Sequence, residues 1–332
     1  MSHGIKLFSI RRWRQFGPLR SAMLALIVWT AHAIGWLDPV ERFVYDHYLR
    51  GSIAITGSPA KVLLVSVDDE EPLRDADRAW TLVETLRDLG AARILFTFVP
   101  DVEASFFERT ESAPNVILGR HLERHPLRTT ELRLAPLPAA AHGYLLQTAA
   151  VHIEPPRGGL HRFHRAWYVV DGREERTLEG RLLDDPTIPS VPDSGVFGVY
   201  FQGKTGSLPQ VRSRRVIDGG LIPELVEGRT VVVGRVSRNP GAGVVTPTTH
   251  DYEKMSLLEY HGNAANTLLS GQVRQPLGPM GSLILIALTT VAMGVLIRWC
   301  DATFGTWILS IGFLSALAVS FVAFVFQQIW LP

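Results

Sequence analysis

Three long runs without charge constrain this chain more than any other feature. Residues 279 to 297 (PMGSLILIALTTVAMGVLI) carry no charged side chain over nineteen positions, close to the ~20 residues a helix needs to cross ~30 Å of hydrocarbon. From Ala302 to Pro332 there is again no Asp, Glu, Lys or Arg, and a second span fits at 302–328. A shorter run, Ser21 to Leu37 (SAMLALIVWTAHAIGWL), is expected to be a retained anchor rather than a cleaved signal peptide. Trp29, Trp36 and the following Asp38-Pro39 make a poor cleavage site, which needs small residues.

Orientation follows from the first twenty residues, where Lys6, Arg11, Arg12, Arg14 and Arg20 face no acidic residue. Basic flanks of this kind stay in the cytoplasm. The expected organisation is a basic cytoplasmic N-terminus at 1–20, a transmembrane helix at 21–37, an extracytoplasmic domain at 38–277, and transmembrane helices at 279–297 and 302–328. The localisation read from this is the cytoplasmic (inner) membrane of a bacterium, crossed several times. Arg298 to Asp301 return to the cytoplasm and the C-terminus lies outside.

The charge balance, 33 basic against 32 acidic residues, gives no global field for a polynucleotide, so no nucleic-acid partner is expected. Cys300 is the one cysteine, which excludes an intrachain disulfide and a multi-cysteine zinc site.

Between the first and second apolar runs the pattern is mixed α and β. Lys61 to Val67 (KVLLVSV) has the character of a buried strand and ends in Asp68-Asp69-Glu70-Glu71-Pro72. Ala79, Leu82, Val83, Leu86 and Leu89 then recur at helical spacing, and Arg93 to Val99 (RILFTFV) forms a second strand ending at Pro100-Asp101. Two parallel strands joined by a helical crossover put Asp68, Asp69 and Asp101 at the carboxyl edge, where open α/β sheets bind ligands. Those carboxylates fit a cation or cationic ligand, and equally the opening turn of the following helix. Further strands are expected at Asn115–Gly119, Ala166–Val170, Val196–Gln202 and Arg229–Gly234, and a helix at Ser256–Leu269. The stretch 171–195 reads as exposed connection. The fold class is α/β, with a mixed, partly parallel sheet and flanking helices in an extracytoplasmic domain, plus three transmembrane helices.

Several motifs fail on context. Gly198 to Thr205 (GVYFQGKT) has the spacing of a nucleotide-binding phosphate loop. Val199, Tyr200 and Phe201 are strand-like, however, and Gly206 and Pro209 break any helix after Thr205, so a strand and a Gly-Lys-Thr-Gly turn are expected. His161 and His164 sit three apart among His121, His125, His142 and His152, but the pair enters a strand and points to opposite faces. No metal is assigned. No Gly-x-Ser-x-Gly elbow and no His-Glu-x-x-His helix occurs. Arg212 to Arg215 is a solvated basic turn.

The order of segments is informative as a whole. FVYDHYLRGS, KVLLVSVDDEEPLR and LRDLGAARILFTFVPD are followed much later by EGRTVVVGRV, VVTPT and EYHGNAANTLLSG, with apolar runs on both sides. This order over residues 38 to about 275 resembles the CHASE sensor domain of the second class, an extracellular sensory domain associated with cyclases and histidine kinases. The strand ending at Gly234 and the segment Glu259-x-His261-Gly262-Asn263-Ala264-x-Asn266-x-Leu268-Leu269 carry most of the likeness. The family has Gly before the Glu and Ala after the His, where this chain has Leu258 and Gly262. In the middle, the family's Asp-Gly-x-x-Arg corresponds to Arg157-Gly158-Gly159-Leu160-His161-Arg162, which keeps the Arg and loses the Asp.

The resemblance implies a membrane-anchored extracytoplasmic sensor or accessory subunit, not an enzyme, with no catalytic residue and no cofactor. With no transmitter encoded after the last apolar run, output is expected through a separate membrane or cytoplasmic transmitter protein. A homodimer is a second expected partnership, with Gly305 and Gly312 allowing close helix approach, and the lipid bilayer is the third. A structural or assembly role in an envelope complex is the alternative, and a membrane-tethered, metal-dependent hydrolase using the acidic edge is a further one. Ligand contacts are placed at Asp68, Asp69, Asp101, Arg162, Gly234, Arg235 and His261. For His261 a structural role, holding its helix to the sheet, stands beside ligation.

Overall fold

The computed structural model describes residues 17–56, 59–68, 73–124, 131–156, 159–237, 243–249, 253–277, 279–299 and 302–330. Within these, the side chains of 293, 294, 296–299, 302–306, 308 and 309 are among those outside the description. Asp69, His125, Arg157, Gly158 and Cys300 also lie outside the described residues.

In chain order the main elements begin with α1 (Gly17–Ala33), α2 (Asp38–Thr56), β1 (Val62–Asp68), α3 (Ala76–Asp88), β2 (Arg93–Phe96) and α4 (Ala104–Glu111). Next come β3 (Val116–Arg124), β4 (Leu132–Leu134), β5 (Thr148–Val151), β6 (Phe163–Arg165), β7 (Trp167–Val170), β8 (Arg173–Arg176) and β9 (Val196–Gly198). The chain continues with β10 (Gln210–Arg212), α5 (Ser213–Ile217), β11 (Thr230–Val236), α6 (Leu257–Leu269), α7 (Pro279–Trp299) and α8 (Ala302–Val322). It divides into two compact units, Leu49–Arg274 on one hand and Met1–Tyr48 with Gln275–Pro332 on the other.

The first unit is built on a seven-stranded sheet in the order β10-β1-β11-β2-β3-β4, with β5 also paired to β3. All of its pairings are parallel except β3 with β4. The sequence motif of strand, helix and strand is therefore present as β1, α3 and β2, but these two parallel strands are not neighbours. β11, contributed from more than a hundred residues later, lies between them, with Val62 beside Thr230 and Thr230 beside Arg93.

Both faces of this sheet are covered, which is why KVLLVSV and TVVVG read as unbroken apolar runs. The period of two along a strand divides them. Leu63, Val65, Val67, Val231 and Val233 join one core with Phe96, Phe106, Phe107 and the apolar face of α3. Val62, Leu64 and Val232 join the opposite core with Leu258 and Ala265 of α6. α3 starts where Asp75 accepts from the amides of Asp77 at 2.8 Å and Arg78 at 3.4 Å, a standard side-chain cap.

Several sequence expectations are met with shifted bounds. The strand expected at 115–119 runs on to Arg124, that at 93–99 stops at Phe96, and the helix expected at Ser256–Leu269 has Ser256 as its cap. The stretch 171–195 requires correction. Thr177, Leu178, Glu179, Gly180 and Leu182 within it are buried, with Glu179 at 1 % exposure. Its Pro and Asp residues mark turns, while the short segment TLEGRLL between them packs into the core.

In the second unit α1 packs against α7, and Tyr48 donates to the carbonyl of Leu317 at 2.8 Å. Tyr45 meets Phe324 edge-on at 5.4 Å between ring centroids. Met23, Leu26, Ile284, Leu288, Ile311 and Phe313 all lie more than half exposed. Counted over the described residues alone, no helix is long and apolar enough to cross a membrane, so the three spans stay an expectation of the sequence.

The departures at 258 and 262 from the family pattern are explained by packing. A Cβ at Gly262 would overlap Leu64 Cδ2 and sit 3.0 Å from Leu208 Cδ1. Leu258 Cδ1 in turn fills the space 2.9 Å from where a Cβ on Gly234 would stand. Here the bulk resides on the facing leucines. Gly262→Ala is expected to destabilise the protein by about 1–3 kcal/mol through overpacking. Leu64→Val in the same chain should recover part of that loss, and a double-mutant cycle of thermal melts that comes out additive would contradict the account.

Candidate functional site

Helix α6 has a polar interior face. Glu259, Asn263 and Thr267, spaced by four, line one side of the helix and accept backbone amides from the buried segment that follows β9. Thr267 Oγ1 accepts from Tyr200 at 2.9 Å and Asn263 Oδ1 from Gln202 at 2.9 Å. Glu259 Oε1 accepts from Gly206 at 2.8 Å and Ser207 at 3.1 Å. On the adjoining side Asn266 Oδ1 accepts the amide of Lys61, just before β1, at 2.9 Å. These side chains do for residues 200–207 what a neighbouring strand does elsewhere, taking amides of a segment that is buried at Tyr200 and Phe201 and emerges at the Gly206-Ser207 turn.

The same contacts decide the phosphate-loop spacing at 198–205. The turn after Gly203 does present convergent amides to an anion, and the anion is the carboxylate of Glu259. Burial pushes that carboxyl up, against the pull of the Gly206, Ser207 and Leu208 amides.

Two residues after Glu259, on a different side of α6, His261 points to a second buried group. Its Nδ1 lies 2.6 Å from Glu179 Oε1, and Nε2 of His164 on β6 lies 2.8 Å from Glu179 Oε2. The side chains of His164, Glu179 and His261 are 2 %, 1 % and 4 % exposed. Burial alone would raise the Glu179 carboxyl, but the two imidazoles outweigh it and hold the group well below the usual carboxylate range. The three donor atoms all lie within 4.8 Å of one another, and they form the one such group of potential metal ligands among the described residues.

The position of Glu179 is fixed by its own turn. Thr177 Oγ1 donates to the carbonyl of Arg165 at 2.8 Å and accepts the amide of Gly180 at 3.0 Å. A Cβ at Gly180 would run into the carbonyl oxygen of Ala166, so only glycine lets the turn lie flat against the β6–β7 segment. Around the imidazoles stand Phe197 and Tyr260, each 5.7 Å from the His164 ring. The Tyr260 hydroxyl donates to the carbonyl of Phe163 at 2.8 Å, and burial, with the charge of Glu179 added, pushes it well up from its ordinary value.

The residues expected to bind ligand are distributed as follows. Asp68, Gly234 and Arg235 lie at the carboxyl ends of β1 and β11, with Ser66 beside Gly234, Val67 beside Arg235 and Asp68 beside Val236. Asp101 is exposed in the loop after β2, and Asp69 is outside the described residues. The Arg235 guanidinium stacks over the Phe98 ring at 4.6 Å. Burial, then the charges of His261 and Arg235, lowers the pKa of His121. Arg162 is buried just before β6, its Nη1 3.4 Å from the carbonyl of Leu160.

His261 is thus joined to His164 and Glu179, neither of which was among the expected site residues. Sequence spacing pairs His164 only with His161, which faces the other way, whereas its partner in the fold is Glu179, shared with His261 on α6. Also at the carboxyl edge, α5 begins directly after β10, and a cleft between it and the start of α3 is lined by Arg74, Asp75, Arg78, Ser213 and Arg214. Its guanidinium groups suit an anionic ligand better than a cationic one.

Residues 21–297 match the CHASE2 domain, and the chain belongs to that family. CHASE2 domains are sensory extracellular domains rather than catalytic ones. No curated protein and no solved structure matches the chain.

Glu259→Ala is expected to destabilise the protein by about 1–3 kcal/mol, because the amides of Gly206 and Ser207 lose their acceptor, while Glu259→Gln, which keeps an acceptor oxygen, loses under ~1 kcal/mol. Equal losses for both in chemical denaturation would count against the amide-cradle role. Removing the central carboxylate with Glu179→Ala, which leaves two buried imidazoles unpartnered, should cost on the order of 3 kcal/mol. A wild-type melting curve for that variant would refute the cluster.

Proposed function

We propose that this chain is a bacterial sensor or accessory subunit held in the cytoplasmic membrane by α1, α7 and α8, with the α/β unit on the outer side. The observation that carries the reading is the CHASE2 match over 21–297, which takes in the α/β unit together with two of the apolar helices. The exposed apolar side chains of α1, α7 and α8 and the arginine-rich residues before α1 support the anchoring and its direction.

Recognition falls to the carboxyl edge of the sheet, where Asp68, Arg235 and the arginine-lined cleft reach the surface and Gly234 is buried under Leu258, with the buried His261 and Arg162 as the remaining proposed contacts. A ligand or protein bound there favours one of two arrangements of the unit, and ~1–3 kcal/mol of differential affinity is the usual scale of such coupling. The signal goes to a separate membrane or cytoplasmic transmitter, with a homodimer as the working form. No reaction is assigned to the chain.

Sidedness is the test. In a Cys300→Ser background, Val169→Cys, 68 % exposed on β7, should react in intact spheroplasts with a maleimide that cannot cross membranes. Labelling that appears only after lysis would place the α/β unit inside and end this reading.

A further inference from the structure

The geometry points to a zinc site at His164, Glu179 and His261, and we propose that one Zn²⁺ binds there through His164 Nε2, His261 Nδ1 and the Glu179 carboxylate. The inference stands apart from the membrane reading, since it concerns only side chains within the Leu49–Arg274 unit.

The donor set is the first reason. Two imidazole nitrogens and one carboxylate are a ligand set that zinc uses, with bonds of about 2.0–2.2 Å and a fourth position open to water. Calcium and magnesium prefer oxygen-only shells. The second reason is convergence. Nε2 of one ring and Nδ1 of the other both face the same carboxylate, at 2.8 and 2.6 Å, and all three donors lie within 4.8 Å. Tetrahedral bonds of that length place donor atoms roughly 3.3 Å apart, a separation that side chains whose donors already lie within 4.8 Å reach by small shifts.

The third is the frame. Thr177 and Gly180 fix the Glu179 turn, giving the ordered outer support that tunes metal ligands.

The three ligands come from β6, from the turn after β8 and from α6. Bound zinc therefore clips α6 to the β6–β9 layer, and since α6 also grips residues 200–208 and the start of β1, occupancy sets how firmly that helix is held.

The full chain in detergent, dialysed against chelator and then equilibrated with micromolar Zn²⁺, should retain about one ion per chain. Zinc at about a hundred times its Kd should raise Tm by roughly 5–10 °C. Co²⁺ in its place should give the visible absorption of a tetrahedral centre, lost in His164→Asn and in His261→Asn but kept in the control His142→Asn, whose ring is exposed. X-ray absorption at the zinc edge of the wild type keeps the test independent of how those variants fold. A shell of nitrogen and oxygen at about 2.0–2.1 Å supports the site. A sulfur shell, no retained zinc in the folded wild type, or cobalt bands unchanged in both histidine variants would each overturn it.

Discussion

The α/β unit depends on helix α6 serving as a hydrogen-bonding partner for the chain that follows β9. After β9 the backbone runs buried through Val199, Tyr200 and Phe201, and its amides cannot remain unpaired in a dry interior. The Arg162 carbonyl accepts from Val199, Thr267 from Tyr200, Asn263 from Gln202 and Glu259 from Gly206 and Ser207, while Asn266 ties the helix to the start of β1. A helix with that many buried polar side chains is unstable in isolation. It becomes stable only when every acceptor finds its donor, which fixes both its rotation and its register along the 200–208 segment.

That constraint gives a physical meaning to the sequence pattern EYHGNAANTLL. Its Glu, both Asn and the Thr are structural acceptors, its Gly makes room for Leu64 and Leu208, and the preceding Leu258 closes over Gly234. His261 is the exception in kind, because it pairs with a side chain from a distant turn instead of with backbone. It brings α6 to Glu179 and, through the shared carboxylate, to His164. The helix is thereby the meeting point of the parallel sheet and the smaller β6–β9 layer. Any event that altered the His–Glu–His contacts would be felt at the sheet.

Much of the fold was legible in local pattern. The unbroken apolar strands, the amphipathic α3 and the capped α6 all carry their signal within a dozen residues, where burial on two faces, helical periodicity and a cap leave direct marks. The membrane-like runs are equally local. What escaped was whatever depends on partners far apart in the chain. The strand order, with β11 inserted between β1 and β2, leaves no mark in β1 or β2, since both are buried on both faces whichever strand lies beside them. Glu179 was hidden in a charged, proline-containing stretch that resembles a surface loop. Its only local hint is the neighbouring Thr177 and Gly180, whose meaning appears once Ala166 is known to lie above them.

The sequence by itself determined that this chain carries an α/β body flanked by apolar runs, that its phosphate-loop spacing is no phosphate loop, and which family it resembles. The first two conclusions rest on composition and spacing, and the third on the resemblance of segments such as EGRTVVVGRV and EYHGNAANTLLSG to that family; all of them survive without coordinates. Only the tertiary structure decided that an internal carboxylate fills the amide turn at 203–207, and that residues 164, 179 and 261 form one buried cluster. Each of those facts is a meeting of side chains separated by tens of residues, and chain order does not encode which of many distant polar groups will share a desolvated volume.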